Sequence, residues 1–206
     1  MFQKFFLLLI LSFFLSSCSS NYSWGWYIFN PTLDTGITNI SFLLKGLSIT
    51  ISISIFSIII SLILGFLISL LGISSKKYLR ICNRVFVEII RSIPLLVLLL
   101  WVYYGLPIVF GISLTPFVAG ILSLSISDSA FEAEIFRAGI ESIPNGQHEA
   151  SKSLGLNSWQ KMRLIIFPQA LRNVLPPIGN QFVYIVKMSS LVSIVGLADL
   201  TRKANE

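Results

Sequence analysis

The chain has 206 residues, 54% of them hydrophobic and only 12% charged, with a formal net charge of +6 and a mean hydropathy of +0.83. A soluble domain carries about 25% charged residues, so this composition excludes an ordinary soluble protein and points to an integral membrane protein. The basic excess flanks apolar runs, as the positive-inside rule requires, and is no sign of nucleic-acid binding. Two cysteines without metal spacing and a single histidine, His148, leave no metal site to propose and no cofactor to expect.

Residues 1–20 place Lys4 before an apolar run from Phe5 to Leu15, followed by small residues. That run is too short for a span of about 20 residues and has the pattern of a secretory signal or an uncleaved signal-anchor. Leu15-Ser16-Ser17-Cys18 also resembles a bacterial lipoprotein cleavage box, which makes Cys18 a candidate for lipidation. In residues 21–45, Trp24, Trp26 and Tyr27 suit a stretch lying at the outer membrane interface.

No charge occurs from Gly46 to Ser75. The alternation Thr50-Ile51-Ser52-Ile53-Ser54-Ile55 is a strand signal. A lone strand cannot satisfy its backbone in lipid, so a helical span is expected at 47–71. Lys76, Lys77, Arg80, Arg84 and Arg91, opposed only by Glu88, put residues 76–91 in the cytoplasm. The uncharged run Ser92–Ser127 is broken by Pro107, Gly111 and Pro116 and reads as a hairpin of spans at 93–110 and 115–130. Residues 131–170 are then a cytoplasmic loop. A last span, 172–196, contains Lys187 with Pro176 and Pro177 near its start. The fold class is all-α, a polytopic helical membrane protein, with the membrane domain over 46–198.

Within the loop, Pro144-Asn145-Gly146 is a turn signal. Gln147 to Leu154 reads as a short helix, and Gly155 is placed to stop it in the left-handed conformation with Leu156 behind. Asn157, with Gln160 three residues on, predicts a capping box for a second helix ending near Phe167, before Pro168. Glu134 and Arg137 share a helix face and can pair.

These residues resemble the EAA loop of bacterial ABC importer permeases. That pattern is Glu-Ala-Ala, three residues, Gly, nine residues, Ile, one residue, Leu-Pro. Glu149, Ala150, Gly155, Ile165 and Pro168 match it, while Ser151 and Phe167 depart. Glu88-Ile-Ile-Arg91-Ser-Ile-Pro94, Glu134-Ile-Phe-Arg137-Ala-Gly139, Phe167-Pro168-Gln169-Ala170 and Leu175-Pro176-Pro177-Ile-Gly179-Asn180 are similar to the polar amino-acid permeases of the histidine and glutamine type. The resemblance implies a type I importer bundle in the bacterial inner membrane, without enzymatic activity of its own. It further implies a cytoplasmic ATP-binding subunit docked on the loop and an extracytoplasmic solute-binding protein. The active unit pairs this chain with a second permease copy, as a homodimer or a heterodimer.

Lys187 sits mid-span, where a charge costs several kcal/mol unless paired or wet. It either lines the translocation path, with Asn180 and Ser189, or pairs between subunits. Its neighbours Met188-Ser189-Ser190 replace the Asp-Thr-Ser usual in the family, and Leu98 stands where Gln is common. The family also continues beyond the segment resembling Ala198–Arg202 into a final span, whereas this chain stops at Glu206. The expectation is a truncated end at 199–206, and with it an alternative function as a non-transporting remnant or assembly partner. A membrane protease using a Ser–Lys dyad of Ser189 or Ser190 with Lys187 is the remaining reading; no metal cluster or paired carboxylate in the sequence supports it.

Overall fold

The computed structural model describes Gly25 and residues 29–205, apart from the Asp34 side chain. Cys18, Trp24, Trp26 and Tyr27 lie outside the described residues, and with them the signal segment and its lipidation. All regular structure among the described residues is helical: α1 Asp34–Ile73, α2 Lys77–Ser92, α3 Leu95–Phe110, α4 Pro116–Glu141, α5 Asn145–Ser153, α6 Ser158–Val195 and α7 Leu200–Asn205. The chain divides into two compact units, Met1–Ser41 and Phe42–Glu206. In the first, the Asn30 side-chain carbonyl accepts from Thr32 N at 3.1 Å and from Thr32 Oγ1 at 2.8 Å, fixing the turn that leads into α1.

α1 begins at Asp34, so the stretch expected to lie at the outer interface up to residue 45 is already helical in its last part. No proline interrupts the sequence between Asp34 and Ile73, and nothing forces a break at residue 46. The alternating Ser/Ile run is helical as well. Ser52 and Ser54 donate to the carbonyls of Ser48 and Thr50, each at 2.7 Å, which satisfies the hydroxyls inside the helix. The small residues Ser54, Ser57, Ser61 and Ser69 are buried along one helical face. That face lets α4 approach closely: Ser125 Oγ donates to Ser57 O at 3.3 Å.

α2 and α3 form a bent pair, turning by 94° at Ile93-Pro94. Pro94 disfavours helical geometry in the residue before it, and Ile93 is extended at φ −85°, ψ 121°. Pro94 itself is the residue that caps the start of α3. α3 carries a π turn at Trp101–Gly105 and ends in left-handed Gly111 at φ 68°. Thr115 Oγ1 then accepts from Val118 N and starts α4.

Two boundaries differ from the expected spans. α4 does not stop near residue 130 but runs unbroken to Glu141, so the first part of the expected loop is helix. The second loop helix does not end at Pro168 either. Ser158–Val195 is one continuous helical stretch of 38 residues. Pro168 lacks the N–H that would bond to Leu164 O. A π turn at Met162–Ile166, in which Phe167 N bonds back to Met162 O, widens the backbone just ahead of it and carries the helix through. Thr35–Ile73 and Ser158–Val195 are each long and apolar enough to cross a membrane, and the α2–α3 pair passes the same test as one broken span.

The core is layered along the bundle. Ile53, Leu99, Leu124, Val192 and Val195 form one cluster, and Leu98, Val102 and Ala119 another. Nearer the basic end, Val87, Ala130 and Ala133 seat α2 on α4. The last residues are tied in too. Leu200 N donates to Thr50 Oγ1 at 3.1 Å, Asp199 caps α7 through Arg202 N at 3.1 Å, and Lys203 lies 4.6 Å from the Phe42 ring centroid.

Candidate functional site

The segment from Asn145 to Pro168 stands at the end of the bundle that carries the basic residues. α5 ends in a full Schellman turn: Leu156 N donates to Ser151 O at 3.1 Å and Gly155 N to Lys152 O at 2.9 Å. Gly155 is left-handed at φ 72°. Asn157 and Gln160 form the capping box reciprocally, at 2.9 and 3.0 Å. The corner between α5 and α6 is thus fixed by local chemistry. Asn157→Ala is expected to cost about 1 kcal/mol and Gly155→Ala about 1–2 kcal/mol. Denaturant titration in detergent checks both, and a value near zero for either would show the corner held by something else.

A second set of contacts joins the corner to the spans. Ile143, Ile166 and Ala170 are buried together with Ile140, Met162 and Ile165 around them. Asn173 Nδ2 donates to Ser142 Oγ at 2.8 Å, and Gln169 Nε2 to Ile165 O at 3.0 Å and Gln147 Oε1 at 3.3 Å. α4 is thereby tied to α6, and α5 to α6 through Gln147.

The five motif residues divide by role. Glu149 and Ala150 are exposed on α5, and Gly155 is exposed at the turn. Ile165 belongs to the packed cluster, and Pro168 sits in the first turn of the α-helical part of α6. Ser151, at the position of the second motif alanine, is fully buried with its hydroxyl donated to Gln147 O. The substitution is tolerated because the helix itself satisfies the added hydroxyl. Two further exposed residues escaped the sequence reading: Leu154 at 74% and Trp159 at 69% exposure. Their signal was available, since both are large apolar residues inside an otherwise polar stretch.

The residues expected to line a path do not stay together. Asn173, Asn180 and Lys187 recur every seven residues on α6, and Asn180 and Lys187 are both exposed. Lys187 makes no ion pair among the described residues. Ser189 is on the opposite side, buried, with its hydroxyl donated to Val186 O at 2.8 Å. Helical periodicity turns it away from Lys187 by half a revolution, which also removes it from any Ser–Lys dyad.

α4 holds what the sequence reading passed over. Asp128 and Glu132, one turn apart, are 2% and 0% exposed; Ser61 of α1 is the hydroxyl beside Asp128, and the Glu132 carboxylate oxygens have no hydrogen-bond partner among the described residues. Glu132 packs on Gly65 of α1, where an added Cβ would stand 2.5 Å from the Glu132 Cβ. Ionisable groups kept inside a membrane bundle without partners are costly and mark functional segments. Below them, Arg137 is held by Glu134 on one side and Glu141 on the other. The hydrogen bonds from Arg137, with Arg91 and Arg84 farther off, hold the Glu134 carboxyl below the usual carboxylate range.

Comparison with known proteins matches this arrangement. Residues 58–206 fit the family described as binding-protein-dependent transport system inner membrane component. The chain is 38% identical over 175 residues to the arginine transport system permease protein ArtQ of Bacillus subtilis, covering 85% of this chain and 80% of the relative. It is 35% identical over 168 residues to the glutamine transport system permease protein GlnP of Escherichia coli K12, covering 81% and 77%. A solved amino acid ABC transporter with histidines superimposes with a TM-score of 0.77 at 40% identity, over 82% of this chain and 78% of that one. An inward-facing MetNI methionine ABC transporter shares the fold, with a TM-score of 0.67 at 24% identity. The family match over residues 58–206, together with relatives more than 30% identical over most of both chains, shows that the chain belongs to the family of binding-protein-dependent transport system inner membrane components.

Proposed function

We propose that this chain is the membrane-spanning subunit of an ATP-driven importer of polar amino acids. The observation that carries the reading is α5. It is a short helix with an exposed Glu149–Ala150–Leu154 surface, fixed to the start of α6 by its Schellman corner and by the Gln147–Gln169 contact. A cytoplasmic ATP-binding subunit docks on that surface and supplies all the hydrolysis. Closure of two such subunits moves α5 as a rigid lever, and the continuous Ser158–Val195 helix carries the motion into the bilayer. A solute-binding protein delivers the amino acid on the outer side, and a second permease copy, identical or related, completes the pathway. The face of α6 bearing Asn173, Asn180 and Lys187 lines that pathway and supplies the polar contacts that a zwitterion needs. The names of the relatives support amino acids as the cargo class.

The test is reconstitution. Proteoliposomes containing this chain, its ATP-binding subunit and its solute-binding protein are expected to take up a radiolabelled polar amino acid only with ATP inside the compartment that faces α5. Uptake that proceeds without the ATPase, or none for any amino acid that the binding protein holds, would reject the reading.

A further inference from the structure

α2 has three faces, and only one of them meets the protein. Asn83 and Val87 are buried against the bundle, and Asn83 Nδ2 donates to Ile68 O at 2.8 Å. Tyr78, Ile81, Val85, Phe86 and Ile89 project outward, with Tyr78 62% and Ile89 53% exposed. Between these two faces runs a basic one, with Lys77, Arg80, Arg84 and Arg91 at helical spacing. An outward apolar stripe beside a basic stripe is the pattern of a helix lying in a membrane interface. The 94° turn at Pro94 sets α2 across the direction of α3, as such a helix requires.

The basic face is not flat. A cavity of about 380 Å³ opens between α2 and α4, lined by Arg80, Arg84, Glu88 and Arg91 from one side and by the Glu134–Arg137–Glu141 group from the other. Arg137 already engages both carboxylates, whereas Arg80, Arg84 and Arg91 make no ion pair among the described residues. Arg91 instead lies 4.9 Å from the centroid of the Phe131 ring. Four guanidinium groups, Arg80, Arg84, Arg91 and Arg137, face three carboxylates, Glu88, Glu134 and Glu141, around this cavity, which leaves one positive charge in excess, and the planar guanidinium groups of Arg80 and Arg84 that no carboxylate engages fit a phosphate. Such basic recesses on the cytoplasmic side of a helical bundle hold anionic lipid headgroups.

We propose that this cavity binds the phosphate of an anionic phospholipid of the cytoplasmic leaflet, whose acyl chains lie on the outward apolar stripe of α2. The lipid neutralises the guanidinium cluster and pins α2 in the interface. Because α2 packs on α4, and α4 carries the docking corner, the lipid fixes the platform against which the lever moves.

The experiment is native mass spectrometry of the full chain in detergent, titrated separately with phosphatidylglycerol, phosphatidylcholine and inorganic phosphate. One phosphatidylglycerol is expected to be retained in preference to phosphatidylcholine. Arg80→Gln with Arg84→Gln is expected to lower its affinity on the order of 30-fold. Lys152→Gln with Lys161→Gln, an equal loss of charge on the loop, leaves that affinity unchanged. Should the arginine variant fail to fold, Ile81→Gln with Val85→Gln on the outward stripe must weaken phosphatidylglycerol retention. Equal retention of the two lipids, equal losses in the arginine and lysine variants, or displacement of the lipid by millimolar inorganic phosphate would overturn the proposal. So would efficient disulfide formation between two copies through the exposed Cys82 in a Cys18→Ser background, since the stripe would then face a second copy.

Discussion

Replacing Ala150 or Glu149 with arginine is expected to release the ATP-binding subunit while leaving the permease folded. Both positions are exposed on α5, and neither side chain takes part in a hydrogen bond or ion pair among the described residues. A change there cannot open a cavity or orphan a buried group, so its direct cost to the fold is within about 0.5 kcal/mol. At a docked interface the same arginine introduces bulk and unpaired charge. Losses of 2–5 kcal/mol are ordinary for such changes, or roughly 30-fold to several-thousand-fold in affinity. Leu154→Asp extends the test, because Leu154 is the most exposed large apolar residue of the corner at 74%. Co-purification with the ATPase and a thermal melt of the permease alone decide the matter. Lost association with an unchanged melt supports docking through α5. Retained association in all three variants would move the docking surface elsewhere.

The opposite outcome is expected at Gly139. This residue lies where α4 and α6 cross, and an added Cβ would stand 2.1 Å from Val174 Cγ2 and 3.5 Å from Ala170 O. Gly139→Ala must push the two helices apart, which costs about 1–3 kcal/mol for overpacking. Gly139→Leu should prevent the folded bundle from forming. The clash is with one side chain and not with backbone, so Val174→Ala is expected to relieve it. The double variant should be about 1–2 kcal/mol less destabilised than the sum of its singles, a coupling of the size neighbouring residues show. A thermal or denaturant series over the two singles and the double measures this directly. Additive effects would mean that the helices do not meet at this point. Because the crossing also anchors the corner, Gly139→Ala is further expected to lower transport more than it lowers ATPase binding.

The surface of α5 and the crossing of α4 with α6 respond to substitution in opposite ways. Glu149 and Ala150 face outward on a helix nine residues long, where side chains are free to change without penalty to packing. Gly139 is interior, where packing leaves no room for one more carbon. The lever works by joining the two: a replaceable outer face for a partner, and an inner crossing that cannot slip.

Much of this protein was legible in the sequence because the physics involved is local. Charge density and the basic run at 76–91 determined that the chain crosses a membrane and which side is basic. Gly155 and the Asn157–Gln160 pair determined the corner, since a left-handed stop and a capping box depend on residues within one turn of each other. The intact spacing from Glu149 to Pro168 led to the family. Helix ends were less legible. Pro168 looked like a terminator and is passed by a π turn, because neighbouring helices supply the packing energy that an isolated helix lacks. The side toward which Ser189 turns required the actual helical phase. The buried pair Asp128 and Glu132, the clash at Gly139 and the arginine-lined recess under α2 were settled only by tertiary structure. Each depends on which residues from distant parts of the chain are brought to the same point, and no periodicity within a single segment records that.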